Sequence, residues 1–145
     1  DLVQENISYL LSNAKDKSIR LINSVDPNAQ IEADENLLSL VIRNLVSNAI
    51  KFTAKEGKVE INNTFNSNEQ VLSVKDTGVG MDEKTLSSIF KNEEITSTYG
   101  TNNEKGSGLG LMLCKEFIER HNGKIWAESK TDEGSEFFIS LPVKK

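Results

Sequence analysis

One cysteine, one histidine, one tryptophan and two prolines are all that these 145 residues hold of those types. The single cysteine, Cys114, excludes an internal disulfide framework and fits a reducing compartment. One cysteine and one histidine are also too few for a conventional structural zinc site. No apolar run approaches the roughly 18–20 residues that cross a bilayer, and none reads as a signal peptide. Basic runs are missing as well. The 17 Lys and Arg are interspersed among 22 Asp and Glu for a net charge of −5, which argues against nucleic acid as the main partner. What is present, 37% hydrophobic and 27% charged residues, suits a soluble globular protein. The length suits one domain, residues 1–145, with a real core and no internal repeat. The chain opens on Asp1 rather than Met, so a piece of a longer protein is expected.

Asp76-Thr77-Gly78-Val79-Gly80-Met81 is the stretch around which the rest is arranged. The residues before it, Gln70 to Lys75, carry Val71, Leu72 and Val74 and predict a short, mostly buried strand. A strand that runs into an acid and two glycines stops abruptly and leaves a carboxylate at its end. Glycines let a flat ligand approach the main chain closely. A carboxylate only accepts hydrogen bonds, so in a partly apolar pocket it selects a ligand edge that donates, such as the exocyclic amine of adenine. Taken alone, the same six residues also read as a simple Asp-Gly turn.

Upstream, residues 1–16 place Leu2, Ile7, Leu10, Leu11 and Ala14 near a helical period. Lys17 to Val25 alternates as a strand, Asp26-Pro27-Asn28 marks a turn, and Gln30 to Ala33 reads as a brief strand. Asp34 caps the longest predicted helix, residues 34–53, with Leu37, Val41, Leu45 and Ala49 in one stripe and Leu38, Ile42 and Phe52 beside it. On that helix Asn44, Asn48 and Lys51 fall at i, i+4 and i+7 and form one polar line. Singly, each asparagine is an ordinary solvated or satisfied amide. Together they suit a ligand: amide oxygens coordinate Mg²⁺, and a lysine supplies charge to phosphates.

Lys58 to Phe65 and Gln70 to Lys75 form an antiparallel hairpin that leads to Asp76. A short helix is expected over residues 82–90, then a polar, Thr- and Asn-rich loop over 91–105 without periodicity, which suits a lid hinged near Gly100 and Gly106. Gly106-Ser107-Gly108-Leu109-Gly110-Leu111 opens a helix to about Arg120, with Leu109, Met112, Leu113, Cys114, Phe117 and Ile118 expected to face the core. Glycines at a helix start make a phosphate seat, although linkers produce the same pattern. It is neither a Walker A loop nor a dinucleotide fingerprint. His121-Asn122-Gly123 ends that helix with a glycine stop. Lys124 to Ser129 and Ser135 to Leu141 form a last pair of strands.

In this order N-L-V-S-N-A-I-K-F-T (44–53), D-T-G-V-G-M, I-F-K (89–91), G-S-G-L-G-L and G-S-E-F-F-I-S-L-P (134–142) resemble the N box, glycine boxes and F box of sensor histidine kinases. The likeness covers residues 30–142. It implies the catalytic, ATP-binding half of a two-component histidine kinase, a branch of the GHKL superfamily. The implied fold is an α/β (α+β two-layer) sandwich: a mixed, largely antiparallel sheet of about five strands on about three main helices, under a long lid at roughly 82–107.

The resemblance also implies roles. Asn48 is the metal ligand, Asn44 stands beside metal and phosphates, and Lys51 contacts phosphate, which makes Asn44 and Lys51 the catalytic pair. Phe52 flanks the nucleotide, Asp76 takes the adenine amine, Gly78 and Gly80 shape the base pocket, Met81 is a further ATP-binding residue, and Ser135 reaches adenine through water. Gly106, Ser107, Gly108, Leu109, Gly110 and Leu111 close over ATP. Lys91 and Lys105 are the lid cations for the γ-phosphate, in a lid without arginine.

His121 reads as an ordinary helix-ending histidine. The phosphoacceptor is therefore expected in an upstream dimerisation domain. Implied with it are a response-regulator receiver domain, a homodimeric full-length kinase, and a cytoplasmic position in a membrane-anchored bacterial sensor, with no direct membrane contact by this domain. Two alternatives stand beside this. One is an ATP-hydrolysing clamp of the superfamily, which carries a glutamate where Asn44 stands. The other is a non-catalytic nucleotide-sensing module.

Overall fold

Alternating side chains build five strands: β1 (Arg20–Asn23), β2 (Lys58–Phe65), β3 (Glu69–Asp76), β4 (Lys124–Lys130) and β5 (Gly134–Pro142). The computed structural model describes residues 2–8, 10–26, 35–65, 69–88 and 110–142. The strands form one sheet in the order β1-β2-β3-β5-β4, with β1 and β2 parallel and every other pair antiparallel. The helices are α1 (Leu2–Ser8), α2 (Leu11–Asp16), α3 (Glu35–Lys51), α4 (Glu83–Ser88) and α5 (Gly110–Arg120). Helix α3 lies between α1 and α5 and packs on β2 and β3, while α5 packs on β4 and β5. The expected two-layer, mixed and largely antiparallel architecture is therefore what the chain adopts.

One face of the sheet makes the core. Register rows across it, such as Ile61–Val74–Phe137 and Leu72–Ile139–Ile125, are apolar because side chains on paired residues share a face. They meet Val41, Leu45, Val46 and Ala49 of α3 and Cys114 and Ile118 of α5, all buried. The other face is more polar, and there Trp126 stacks on Phe138 at 5.1 Å.

Several boundaries differ from the sequence reading. The helix expected over 1–16 is two helices, since the Leu10 amide bonds Ile7 O, three residues back, at 2.9 Å and the ladder steps out of register. The strand expected over 17–25 shrinks to β1. Lys17 and Ser18 are spent ending α2: Ser18 has φ 55°, its amide bonds Lys15 O, and the Ile19 amide bonds Ala14 O. At the end of α5 the same motif puts Asn122, not Gly123, at positive φ (62°). Gly123 serves close approach instead, because a Cβ there would meet Ser140 O at 2.2 Å. Leu113 is 56% exposed rather than core-facing, since Cys114 and Ile118 set the buried side of α5 and Leu113 lies a step of about 100° away from Cys114. The strand at 30–33, the Asp34 cap, Ile89-Phe90, the loop 91–105 and Gly106 to Leu109 lie outside the described residues.

Helix α3 ends at Lys51, short of residue 53, because other groups take its last carbonyls. Thr53 Oγ1 donates to Ala49 O at 2.6 Å, and Lys17 Nζ donates to Ile50 O and Lys51 O at 3.1 Å each. Lys17 is only 5% exposed, so a buried cation meets the negative end of the helix dipole. We expect Lys17→Met, which keeps the apolar stem and deletes these bonds, to cost about 1–3 kcal/mol. This is read as a lower urea midpoint at unchanged m-value. An unchanged midpoint would mean that the bonds add nothing to stability.

Candidate functional site

The site begins where the apolar rows of the core stop. The last row on the helix-facing side reads Leu21–Val59–Asp76–Ser135–Ser129, so an acid and two serines replace the apolar residues of the rows before it. Asp76 ends the central strand at 4% exposure. The amides of Gly78 and Ser135 donate to its Oδ1 at 2.8 and 3.2 Å. Among the described residues no donor reaches Oδ2, and no buried side-chain polar atom lacks a partner. Burial pushes the Asp76 carboxyl above its ordinary value, and the two amide bonds oppose that rise.

The glycines after Asp76 do different work. A Cβ on Gly78 would lie 2.3 Å from Phe52 O and 2.8 Å from Asp76 Oδ1, so only glycine leaves the carboxylate in place. Gly80 has φ 71°, and a Cβ there would strike Lys130 O at 1.9 Å. It serves the seam with the β4–β5 turn, where the Asp132 amide also donates to Val79 O at 2.7 Å. Ser129 was missed by sequence reasoning. Its Oγ accepts from the Met81 amide at 2.7 Å, donates to Gly134 O at 3.0 Å and lies 2.8 Å from Ser135 Oγ. Serine on a half-exposed strand carries no local signal of such a task. A wide, open depression lies beside this row, lined by Asp76, Ala127, Ser129, Gly134, Ser135 and Leu86 of α4 together with charged residues such as Lys75, Glu128 and Glu136.

Helix α3 brings the second group of residues to the same place. Its C-terminal end is fastened to the loop by the Val79 amide, which donates to Phe52 O at 3.1 Å. Lys51 Nζ stands 4.7 Å over the Phe52 ring. Lys51, Phe52, Asp76, Gly78 and Met81 are thus assembled at one end of the sheet. Asn48 is half-buried one turn back along α3. A further turn back, Asn44 Nδ2 donates to Leu40 O at 2.9 Å. Burial pushes the Cys114 thiol up to about 11, and the Asn44 side chain opposes part of that rise.

Gly110 starts α5, and Leu111 is half-buried against the core. Lys91, Lys105, Gly106, Ser107, Gly108 and Leu109 lie outside the described residues. Among the described residues no group of three or more His, Cys, Asp or Glu could hold a metal. A divalent ion here would rely on amide oxygens and ligand phosphates, which suits Mg²⁺ and the asparagines of α3.

A family profile described as histidine kinase-, DNA gyrase B- and HSP90-like ATPase matches residues 33–145. The chain belongs to this ATPase family. Within it, the chain is 35% identical over 147 residues to the autoinducer 2 sensor kinase/phosphatase LuxQ of Vibrio vulnificus, covering 97% of this chain and 17% of that protein. The catalytic domain of the histidine kinase ThkA superposes with a TM-score of 0.84 at 30% identity, covering 98% of this chain and 90% of that one. ThkA in complex with the response regulator TrrA gives 0.79 at 27%, covering 99% and 40%. The chain is thus of the catalytic, nucleotide-binding type found in sensor histidine kinases, and it spans about a sixth of the LuxQ length.

Since the folded chain holds the Asp76 proton more tightly than the unfolded chain does, ionisation costs the fold. Stability tied to this group is fullest below the ordinary value of 3.8 and falls as pH rises through the raised value. Asp76→Asn keeps an acceptor for both amides and removes the charge. Its melting temperature should match or exceed that of the parent at pH 7, with the gap closing in acid. A variant that melts lower at pH 7 would show that the charge strengthens those amide bonds by more than its burial costs.

Proposed function

We propose that this chain binds Mg-ATP and offers the γ-phosphate to a histidine in a separate, upstream dimerisation domain of a two-component sensor kinase. The observation that carries the reading is the buried Asp76 carboxylate, one oxygen held by two amides and the other uncommitted among the described residues. An acceptor-only group in that setting suits the adenine amine. Met81 and Phe52 would flank the nucleotide, and Ser135 would reach the base through water. On α3, Asn44, Asn48 and Lys51 would hold the metal and phosphates. Lys91, Lys105 and the segment Gly106 to Leu111 would close from a lid over roughly 82–107 and exclude water.

Phosphoryl transfer rests on positioning and charge stabilisation, and bound Mg²⁺ supplies charge neutralisation at the phosphate oxygens. The residues of the chain bind and orient. An amide at Asn44 cannot take a proton from water, which favours transfer over hydrolysis. The receiving histidine is not His121. That ring packs on Phe117 at 4.2 Å and its Nδ1 lies 3.0 Å from Phe117 O, in the turn that closes α5. A response-regulator receiver domain would take the phosphoryl group next, as the ThkA complex with TrrA suggests. The full kinase would be a homodimer with this domain in the cytoplasm of a bacterium. No described helix is long and apolar enough to cross a membrane.

Calorimetric titration with ATP, with and without Mg²⁺ and with ADP release followed in the same samples, tests the reading. Binding strengthened by Mg²⁺ without steady turnover is the expected result; steady hydrolysis would favour the clamp. Asn48→Ala should abolish most of the Mg²⁺ increment, and an intact increment would move the metal site elsewhere. Asp76→Asn should weaken ATP at least tenfold, in line with about 1.5–3 kcal/mol for a bond to a charged group. Unchanged affinity would end the claim for base recognition.

A further inference from the structure

Ser135 stands in the last row of the sheet between Asp76 on β3 and Ser129 on β4, paired in register with both. Its hydroxyl oxygen lies 2.8 Å from Ser129 Oγ and meets no other group among the described residues. Which of the two serines gives its hydrogen is set by valence. A hydroxyl has one hydrogen to give and two lone pairs to receive. Ser129 Oγ receives the Met81 amide at 2.7 Å and gives its hydrogen to Gly134 O at 3.0 Å. An amide N–H only donates and a carbonyl oxygen only accepts, so both directions are fixed. One lone pair is left on Ser129, and the Ser135 hydroxyl is the donor between them. The hydrogens therefore run one way, from Ser135 to Ser129 to Gly134 O. Ser135 Oγ keeps only lone pairs for the depression that it lines with Asp76.

We propose that Ser129 is a positioning residue that takes up the one hydroxyl hydrogen of Ser135 and so leaves the base site with acceptors only. The inference rests on the Mg-ATP reading for its ligand. Under that reading the adenine amine meets lone pairs at Asp76 Oδ2 and, through water, at Ser135. A water between Ser135 and the base gives one hydrogen to Ser135 and keeps its lone pairs for an N–H of the base. A 6-oxo purine brings an acceptor where adenine brings N–H, and no serine hydrogen is free to answer it. Asp76 alone does not close that route. A serine hydroxyl rotates, and it donates or accepts as its ligand requires. Ser129 removes that choice, so selection of the base is shared between the acid and a serine two positions along the row.

Neutron diffraction from deuterated, nucleotide-free crystals reads the direction itself. The deuterium between the two serines should sit on Ser135, with that of Ser129 turned to Gly134 O; the reverse would overturn the proposal. Calorimetry then compares ATP with inosine triphosphate, which carries a 6-oxo group in place of the amine. The proteins are the parent, Ser129→Ala, Ser129→Thr and Ile139→Val, the last a buried change on the same sheet. In Ser129→Ala the Ser135 hydroxyl is released to donate. The preference for ATP over inosine triphosphate should therefore fall roughly three- to tenfold, the span of one neutral hydrogen bond. Threonine keeps the hydroxyl and should keep the preference. Loss of the Met81 bond by itself would weaken both nucleotides alike, so an unchanged ratio in Ser129→Ala would reduce Ser129 to a structural role. An equal fall in Ile139→Val would trace the ratio to packing and overturn the proposal as well. If the parent binds neither nucleotide, the Mg-ATP reading fails, and the neutron map still decides the direction of the hydrogens. Should Ser129→Ala not fold, the neutron map of the parent carries the test.

Discussion

A carboxylate is kept under the protein surface at the end of the central strand, and much of the site exists to make that tolerable. Desolvation works against the Asp76 charge, and the amides of Gly78 and Ser135 offset part of the cost at one oxygen. Both donors need backbone conformations or approaches that side chains obstruct. Gly78 must stay bare against Phe52 O, and Gly134, at φ 86°, must stay bare against Asp76 O. The motif glycines on either side of the sheet's centre thus answer to one acid. The other oxygen is uncommitted among the described residues, and the proposed adenine contact would use it.

Helix α3 is the other half of the arrangement, and its position is fixed at the C-terminal end. Lys17 holds the carbonyls of Ile50 and Lys51 from one side, while the Val79 amide holds Phe52 O from the other. A helix end normally frays because its last carbonyls lack partners. Here they have partners from α2's C-cap, from Thr53 and from the loop after β3. Rigidity where Lys51 and Phe52 stand follows from that. At the other end of α3, Asn6 of α1 donates to Ser39 and accepts from Arg43 at 2.7 Å, so the first helix also braces the N-box helix.

Much of this was legible in the chain. The alternation in 58–65 and 70–75, the α3 stripe through Val41, Leu45 and Ala49, and the abrupt Asp-x-Gly stop each carry their own local signal, so strands, helix and loop could be placed without contacts. The errors fell at element ends. The end of α3 is met by the distant Lys17, whereas the break at Leu10 and the left-handed Asn122 turn on local bonds to Ile7 O and Glu119 O. Leu113 was misjudged because a helix opening on G-L-G-L is apolar on more than one side, and only packing chooses the side that is covered.

Residue type and spacing by themselves determined the family, the strand–helix order and the set of groups with chemistry: the acid, the asparagines, the lysine and the glycines. These are properties of side chains and of local periodicity, and they need no partner to be read. Tertiary structure alone decided which atoms of those groups are already spent. It assigned Oδ1 of Asp76 to Gly78 and Ser135, buried Lys17 under the end of α3 and made Ser129 the hub below Met81. Hydrogen-bond saturation depends on groups up to 59 residues apart, as for Ser135 and Asp76, and no local pattern encodes it.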